Sequence, residues 1–307
     1  MSAHDIARAV EFLSAGGLVA FPTETVYGLG GDATNPHAVA RIYEAKGRPR
    51  FNPLIAHVLD LDAALRQAHF HAKAVALAEA LWPGPLTIVA PRRGNSNVAE
   101  LACAGLASIA LRAPSHPIAR ELLEAFEHPI AAPSANRSGR VSPTTAAHVH
   151  EELGARVDLI LDGGPCALGL ESTIVAISDT GQATLLRPGA VTRERIEALI
   201  GTLDTPGDGA IEAPGMLAGH YAPRARLRLD ATAPVEGQAY LAFGEEAPAG
   251  GLSLSPSGDL AEAAANLYAH LRALDATGAA TIAVAPIPAH GLGEAIRDRL
   301  AHAAAGR

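Results

Sequence analysis

The densest cationic segment of this chain lies around the sequence KGRPRFNPLIAHV. Four cations stand there against a single carboxylate: Arg41, Lys46, Arg48 and Arg50 against Glu44. Lys46 is one of only two lysines in a chain that otherwise uses arginine as its cation. An ammonium group is a compact, rotatable point charge that suits a nucleotide phosphate. The segment therefore predicts a phosphate site, with an ordinary charged surface loop as the alternative.

Three further segments follow predicted strands and combine hydroxyl groups with glycine. They are FPTETVYGLG (21–30), APSANRSGRVSP (132–143) and LDGGPCALGLESTIV (161–175). The glycines let backbone amides approach a ligand, and the hydroxyls supply short donors and acceptors. A plain strand-to-helix turn at 21–30 and a helix cap at Ser142 are the structural alternatives. A cap is compatible with ligand contact, so these segments remain candidates.

Two arginines and one histidine lie at the ends of predicted strands. Arg112 and Arg187 each end a strand and are followed by Ala-Pro or proline. Ligands of open α/β sheets bind beyond strand ends, although arginines there are often plain surface residues. His57 follows the cationic segment within a predicted strand. A ligand contact and a satisfied core histidine are both open interpretations for His57.

Several common site motifs are absent from the sequence. It contains no GxxxxGK[ST] loop, no GxGxxG between a strand and a helix, and no HExxH. Its histidine pairs are spaced two apart, which directs the rings to different faces of a helix. Cys103 and Cys166 are isolated, which fits a reducing cytosol and gives no zinc signature. We therefore expect no metal site built from protein side chains.

Alternating strands and helices must position these segments through the first two hundred residues. Short apolar runs such as PLIAHV (53–58), LTIVA (86–90) and ASIALR (107–112) predict strands. The glycines at 28–31 are expected in a turn. Consecutive strands near 172–187 interrupt the alternation, which predicts an α/β fold with a mixed sheet.

The length and composition predict two domains joined by a linker. A chain of 307 residues exceeds the usual size of one domain. Residues 1–200 form the first predicted domain. Residues 201–224, rich in glycine, proline and alanine, form the predicted linker. Residues 225–307 form a predicted small α/β domain.

The charge balance limits the classes of partner. With 24 basic and 32 acidic residues, the net charge of -8 argues against nucleic-acid binding over the whole surface. No apolar run reaches the length of a membrane span, and no membrane partner is expected. Asp5, Arg8 and Glu11 interrupt the apolar N-terminal residues, unlike a signal peptide. We expect a soluble cytoplasmic protein.

Five segments in this order resemble the YrdC-type threonylcarbamoyl-AMP synthases: FPTETVYGLG, KGRPRFNPLIAHV, APSANRSG with SPT, GLESTIV and PGMLAGHYAP. The similarity spans essentially the whole chain and points to the long, two-domain form of the family. The resemblance implies a YrdC-like twisted mixed sheet with flanking helices. It also implies a small C-terminal Rossmann-like α/β domain.

The resemblance implies the activity of an L-threonylcarbamoyladenylate synthase, a nucleotidyltransferase. Such an enzyme makes threonylcarbamoyl-AMP and pyrophosphate from L-threonine, bicarbonate and ATP. The product serves threonylcarbamoyladenosine synthesis next to the tRNA anticodon, through possible transient contact with the transfer machinery. Mg²⁺ would accompany ATP and be held by phosphates and water. Direct tRNA binding, oligomeric state, the general base and any role of the C-terminal domain beyond holding the linker are left open.

Matching motif positions assign the site residues. Lys46 and Arg48 are the expected catalytic cations. Around ATP the resemblance places Lys46, Arg48, Asn52, Ser108, Ser134, Ser142, Arg187 and Tyr221. Around threonine it places Thr25, His57, Arg112, Ala132 through its backbone, and Ser172. We expect the linker that carries Tyr221 to act as a lid excluding water from a labile intermediate.

Two other functions remain as alternatives. A non-catalytic RNA-binding module of the same fold is suggested by the cationic segment, but the chain is acidic and poor in aromatics. A hydrogenase-maturation carbamoyltransferase contains a similar domain. It also requires an acylphosphatase domain and paired-cysteine zinc fingers, which this sequence lacks. The synthase is therefore the favoured function.

Overall fold

The computed structural model describes residues 3–207, 213–214 and 220–305. Residues 208–212 and 215–219, which belong to the predicted linker, lie outside the described residues. The helices within the described residues are α1 (Ala3–Ser14), α2 (Pro36–Lys46), α3 (Leu61–Leu65), α4 (Ala72–Leu81), α5 (Pro117–Phe126), α6 (Ala146–Leu153), α7 (Arg193–Ile200), α8 (Leu260–Ala276) and α9 (Leu292–Ala304). Short 3₁₀ turns cover Glu100–Cys103 and Gly154–Arg156.

The strands of the same residues form two sheets. They are β1 (Val19–Phe21), β2 (Gly28–Asp32), β3 (Ile55–His57), β4 (Leu86–Pro91), β5 (Ser108–Arg112), β6 (Ile130–Ala131), β7 (Leu159–Ile160), β8 (Thr173–Ile177), β9 (Ala183–Arg187), β10 (Arg226–Arg228), β11 (Ala239–Ala242), β12 (Leu252–Ser253) and β13 (Thr281–Val284). The first sheet has nine strands in the order β7-β1-β2-β6-β3-β5-β4-β8-β9. It mixes parallel pairs such as β3–β5 with antiparallel pairs such as β8–β9, so the predicted mixed α/β sheet is confirmed.

Helices cover this sheet unequally on its two faces. The larger core contains apolar residues of α2, α4, α6 and α7 on one face. On the other face, α1 and α5 cover only the region of β1, β2 and β6, with Leu13 and Leu122 fully buried there. The rest of that face, along β3, β5, β4, β8 and β9, carries a separate small cluster that includes Ala213 of the linker. No helix of the described residues covers this part of the face, which leaves it available for a site.

The prediction of a turn at residues 28–31 was wrong, because this segment is strand β2. β2 pairs antiparallel with β1 and with β6. A Cβ at Gly30 would lie 2.7 Å from the ring of Phe21 and 2.9 Å from the side chain of Ile130. The glycine is therefore needed for packing inside the sheet.

The C-terminal residues build a second, smaller α/β unit. Its four strands are all parallel in the order β10-β13-β11-β12, and α8 and α9 pack on them. Its core includes Leu267, Ile282 and Ile296, each fully buried. The predicted fold class, a twisted mixed sheet with a small Rossmann-like α/β unit, is confirmed. No helix among the described residues is both long and apolar enough to cross a membrane.

The chain does not leave the first sheet at residue 200, where the predicted linker begins. Asp204 forms a bridge with Thr184 of β9. The Asp204 N–H donates to the Ala183 carbonyl at 2.8 Å, and the Asp204 carbonyl accepts from Leu185 N–H at 3.0 Å. Residues up to 204 are thus held by the first sheet.

Candidate active site

The alternation of side chains along two parallel strands creates the floor of a cavity. His57 lies two residues after Ile55 on β3, and Arg112 lies two residues after Ala110 on β5. Ile55 and Ala110 belong to the cluster on the face that no helix covers. Because residues two apart share one face of a strand, His57 and Arg112 point to that face as well. They are direct neighbours in the β3–β5 register.

A β-bulge turns Arg187 toward the same face. Arg187 pairs with Ile174 of β8, whereas Leu185 pairs with Val175, so Leu186 is an extra residue on β9. In a regular strand, Arg187 would share the face of Leu185, which packs in the larger core. Bulges beside functional sites re-aim side chains in this way. The Arg187 guanidinium donates to the Ser172 carbonyl at 2.8 Å and to its hydroxyl at 3.2 Å.

Helix α2 places Lys46 next to Ser134, which lines the cavity, while Lys46 itself lines a neighbouring groove with Arg137 and Arg140. Asn35 caps the helix start, Pro36 occupies its first turn, and Gly47 ends it in the left-handed conformation at φ 61. Lys46 is thus the last helical residue and is only 3% exposed. Its ammonium donates to the Ser134 carbonyl at 2.5 Å and also to the Asn136 carbonyl. The ammonium therefore ties the cationic loop to the 132–143 segment.

Burial makes the charge on Lys46 costly. Burial and the neighbouring Arg48 hold its pKa well below the usual value for lysine, although Glu152 acts in the opposite direction. An ammonium has three N–H donors, and two of them are used by the carbonyls. The third donor and an unbalanced positive charge suit an anionic ligand.

The loop after α2 is rigidified by Arg48. Its guanidinium donates to the Asn52 side-chain oxygen at 2.7 Å and to the Pro53 carbonyl at 2.8 Å. Asn52 is fully buried, and its side-chain nitrogen has no partner among the described residues. Buried donors are usually paired, so this nitrogen is a candidate for a ligand contact.

Arg112 forms the other end of the cavity with a carboxylate that the sequence analysis did not assign. Its guanidinium donates to Glu24 at 2.7 Å and to the Gly84 carbonyl at 3.3 Å. Glu24 also accepts from the Ser115 N–H at 3.1 Å. Burial raises the pKa of Glu24, but Arg112 and the hydrogen bonds lower it below the usual value. The only signal for this pair in the sequence was that FPTETVYGLG contains a single carboxylate, Glu24.

Hydroxyl groups line the cavity near Arg112. The Thr23 hydroxyl donates to the Val26 carbonyl at 2.7 Å and lies 2.8 Å from the Thr25 hydroxyl, which fixes the turn between β1 and β2. Ser172 lies 2.7 Å from Thr87 through their hydroxyl oxygens. These short side chains provide donors and acceptors at fixed positions for a small polar ligand.

His57 lies in the floor of the cavity as a neutral ring. Burial and the nearby Arg112 hold its pKa at about 3, although Glu24 favours the charged form. Its Nδ1 has no hydrogen-bond partner among the described residues. A neutral imidazole with an unsatisfied nitrogen can bind an ammonium or hydroxyl group of a ligand.

The depressed pKa of His57 gives a prediction for stability. As the pH falls from about 6.5 to about 4.5, the unfolded chain protonates this histidine while the folded chain does not. The free energy of unfolding then falls by about 1.4 kcal/mol per pH unit from this group. His220, with a pKa held at about 4 by burial and by Arg48, adds a slope of the same sign.

We therefore expect His57→Asn to lose less stability than the unchanged protein over this range. Urea unfolding at both pH values measures the difference. Equal losses in the two proteins would contradict the burial of a neutral His57.

Linker residues close the cavity. Pro214, His220 and Tyr221 line it, and the Pro214 carbonyl accepts from Arg187 at 3.3 Å. Tyr221 is 4% exposed and adopts a left-handed backbone at φ 63, which is unfavourable for a bulky residue. Its ring stacks on Tyr268 at 6.0 Å between ring centres. Contacts from the C-terminal unit thus hold it in place.

The structure brings most of the assigned residues together and leaves one apart. The cavity is lined by Thr23, Thr25, Val26, Tyr27, Gly28, Arg48, Ile55, His57, Arg112, Ala132, Pro133, Ser134, Glu171, Ser172, Arg187, Pro214, His220 and Tyr221. Lys46, Asn52 and Ser142 contact lining residues directly. Ser108 begins β5, about 13 Å along the strand from Arg112, and is not among the lining residues. Glu24, Glu171 and His220 belong to the site but were not assigned from the sequence.

Comparisons with known proteins agree with this geometry. Residues 11–189 match the family Sua5_yciO_yrdC, described as telomere recombination, and residues 191–305 match Sua5_C, the threonylcarbamoyl-AMP synthase C-terminal domain. Threonylcarbamoyl-AMP synthase of Bacillus subtilis (strain 168) is 40% identical, over 98% of this chain and 93% of that protein. The Pyrococcus abyssi protein of the same name is 40% identical, over 95% of this chain and 92% of that protein.

A solved structure is similar over nearly the same length. The crystal structure of P. abyssi Sua5 complexed with L-threonine superposes with a TM-score of 0.90 at 38% identity. The match covers 98% of this chain and 94% of that chain. The resemblance found in the sequence motifs is confirmed. The chain therefore belongs to the Sua5/YrdC family and, within it, to the two-domain members that carry the threonylcarbamoyl-AMP synthase C-terminal domain.

Proposed function

We propose that this protein is an L-threonylcarbamoyladenylate synthase. It forms threonylcarbamoyl-AMP and pyrophosphate from L-threonine, bicarbonate and ATP. The observation that carries the proposal is one cavity with two different ends. Arg112 and neutral His57 lie at one end, and Lys46, Arg48 and Arg187 approach the other. The first end suits an amino acid, and the second suits a polyphosphate.

The reaction needs no nucleophile from the protein. The threonine amine and bicarbonate give a carbamate with loss of water. A carbamate oxygen then attacks the α-phosphorus of ATP, and the bond to the β-phosphate oxygen breaks as pyrophosphate leaves. The protein contributes orientation of three polar substrates and fixed positive charge near the developing negative charge. Lys46 and Arg48 are the catalytic cations in this proposal.

The substrate ends can be assigned in more detail. Arg112 binds the threonine carboxylate, with Thr25, His57, Ser172 and the Ala132 backbone around the rest of the amino acid. At the other end, ATP contacts three cations and four further residues: Lys46, Arg48, Arg187, Asn52, Ser134, Ser142 and Tyr221. The geometry does not support an ATP contact for Ser108, because Ser108 lies at the far end of β5 and does not line the cavity. Tyr221 and its neighbours exclude water from the carbamate and the mixed anhydride.

Mg²⁺ enters with ATP as part of the substrate. The side chains around the phosphate end are cations, amides and hydroxyls, which suit phosphate oxygens better than a bare divalent ion. Phosphate oxygens and water would hold the metal, which would neutralise triphosphate charge. The mixed-anhydride product is then consumed by transfer to tRNA adenosine next to the anticodon, through a transfer machinery that contacts this protein transiently.

An omission series tests the proposed reaction. The protein is incubated with ATP, L-threonine and carbon-labelled bicarbonate, and both pyrophosphate and labelled nucleotide are measured. We expect both products only when all three substrates are present. Pyrophosphate release that is independent of threonine or bicarbonate would overturn the proposal. Salt-sensitive RNA binding without any ATP turnover would favour the RNA-binding alternative.

Replacing Arg112 by alanine should mainly weaken threonine binding. The lost charged hydrogen bonds predict an affinity for threonine lower by about 1.5–3 kcal/mol, with a smaller change for ATP. Calorimetric titration with each substrate separates the two effects. Arg120→Ala, on helix α5 outside the cavity, is the matched control. An equal loss of affinity for both substrates would refute the assignment of Arg112.

A further inference from the structure

The least exposed charged side chain of the C-terminal unit reaches the first unit. Arg299, on helix α9, is 1% exposed and is the largest fully buried side chain among the described residues. Its Nε donates to Oε2 of Glu171 at 2.8 Å. Glu171 precedes β8 in the GLESTIV segment and itself lines the cavity. A buried arginine that leaves its own unit for this carboxylate indicates a role beyond packing.

Glu171 is the centre of a network that joins both units. Tyr268 of α8 donates its hydroxyl to Oε2 at 2.7 Å, and Ser142 donates to Oε1 at 2.5 Å. The Arg299 guanidinium also lies 5.0 Å over the ring of Tyr221. A cation over an aromatic face is attractive, more so when buried. Of the residues assigned to ATP, Tyr221 is therefore held directly by Arg299 and Tyr268 of the C-terminal unit. Ser142 is held indirectly, through Glu171.

Close backbone packing supports this arrangement. Gly169, at φ +66, lies against helix α8, and a Cβ there would come within 2.6 Å of two α8 carbonyl oxygens. Val141 and Leu170 of the first unit belong to the core of the C-terminal unit. The geometry of Glu171 relative to Arg299 is thus fixed by packing on both sides of the pair.

The charge of Glu171 faces the end of the cavity where Lys46, Arg48 and Arg187 converge. An uncompensated buried carboxylate there would repel a triphosphate. We propose that Arg299 is a positioning residue for the ATP end of the site, which neutralises Glu171 and orients Ser142 and Tyr221. This rests on the proposed synthase function and gives the C-terminal unit a task in it. Arg299 does not line the cavity, so it acts through the residues it holds.

The environment of Glu171 makes this proposal testable by pH. Burial raises the pKa of Glu171, but Arg299, Arg187 and the Ser142 hydrogen bond lower it to about 2. The titratable or charged groups facing it are Arg187, His220, Tyr221, Tyr268, Asp298 and Arg299. His220 has a pKa held at about 4, and burial raises the pKa of both tyrosines, so these groups stay neutral between pH 6 and 8. Asp298 also pairs with Arg299, but it does not line the cavity. Among the carboxylates, Glu171 is therefore the one at the ATP end that loses its partner when Arg299 is removed.

The experiment compares Arg299→Met with the double variant Glu171→Gln/Arg299→Met in the full chain. We expect Arg299→Met to raise the KM for ATP by about tenfold or more at pH 8, with a smaller change in the KM for threonine. The defect should shrink toward pH 6 as the stranded carboxyl gains a proton. The double variant should recover most of the ATP affinity and lose the pH dependence. Arg297→Met, an exposed arginine on the same helix, should behave like the unchanged protein.

The other possible outcomes also distinguish a positioning role of Arg299 from a purely structural one. A purely structural Arg299 would give a defect that is independent of pH and at least as severe in the double variant, which overturns the proposal. If Arg299→Met does not fold, an active and folded double variant still supports charge compensation, and two unfolded variants contradict it. Failure of the unchanged protein to release pyrophosphate from the three substrates would instead refute the proposed function itself.

Discussion

Lys46→Met is expected to lower kcat for pyrophosphate release by about 10²–10³-fold, the effect of removing one preorganised charge contact in a transition state. Lys46 is held at the end of α2 by the left-handed Gly47, and its ammonium is buried against two carbonyls of the 132–143 segment. Charge in such a site is weakly screened and acts strongly on a leaving pyrophosphate. Pyrophosphate release under saturating substrates measures the effect.

Two other variants define what the loss of Lys46 means. Lys46→Arg should not restore activity, because a planar guanidinium cannot replace a compact ammonium between the Ser134 and Asn136 carbonyls. Lys73→Met removes the only other lysine of the chain, on α4, and should leave kcat unchanged. A Lys46→Met protein with more than half of the normal kcat would show that Lys46 only supports the loop.

Ending the chain after residue 207 is expected to lower turnover by about 10²-fold or more. The cut removes Tyr221, Arg299 and Tyr268, so the residues at the ATP end lose their positioning, and small misplacements of reacting groups cost about this factor. The sequence alone predicts that the first domain ends at residue 200. Residue 207 is the better end because Asp204 is hydrogen-bonded to β9.

The shortened protein should also have a lower free energy of unfolding than the full chain. Val26, Val141 and Leu170, which pack in the core of the C-terminal unit, become exposed. Glu171 also loses its ion pair with Arg299 and its hydrogen bond from Tyr268. Circular dichroism during heating measures the folded fraction, and turnover is compared at a temperature where the protein is folded. A truncated protein that is folded and fully active would contradict both the proposed lid and the proposed role of Arg299.

The sequence predicted the parts of the fold that depend on local patterns. The apolar runs at 86–90 and 107–112 match β4 and β5 within one residue, and the consecutive strands expected near 172–187 are β8 and β9. Asn35-Pro36 is a local pattern of the same kind, a cap followed by proline, and it stands at the start of α2. Strand β2 was missed because its sequence, GLGGD, has the composition of a turn. Its strand conformation depends on packing against Phe21 and Ile130, which no local pattern reveals.

Site residues within a sequence motif could be predicted. Site residues that depend on contacts between positions far apart in the sequence could not. Arg112 was identified from its strand end, but its partner Glu24 is 88 residues away in sequence and was missed. The bulge that aims Arg187 leaves no pattern in the sequence of β9. Arg299 is 128 residues from Glu171, on a helix whose other arginine, Arg297, is exposed. Periodicity cannot show which arginine of a helix is buried against a second unit.

The most direct measurement is a crystal structure with L-threonine and a nonhydrolysable ATP analogue bound together. We expect both ligands in the single cavity, with the threonine carboxylate on Arg112 and the phosphates within hydrogen-bond distance of Lys46 and Arg48. The α-phosphorus should lie beside the threonine amine, with room for one carbamate between them. Phosphates bound away from these cations, or the two ligands in separate cavities, would contradict the account.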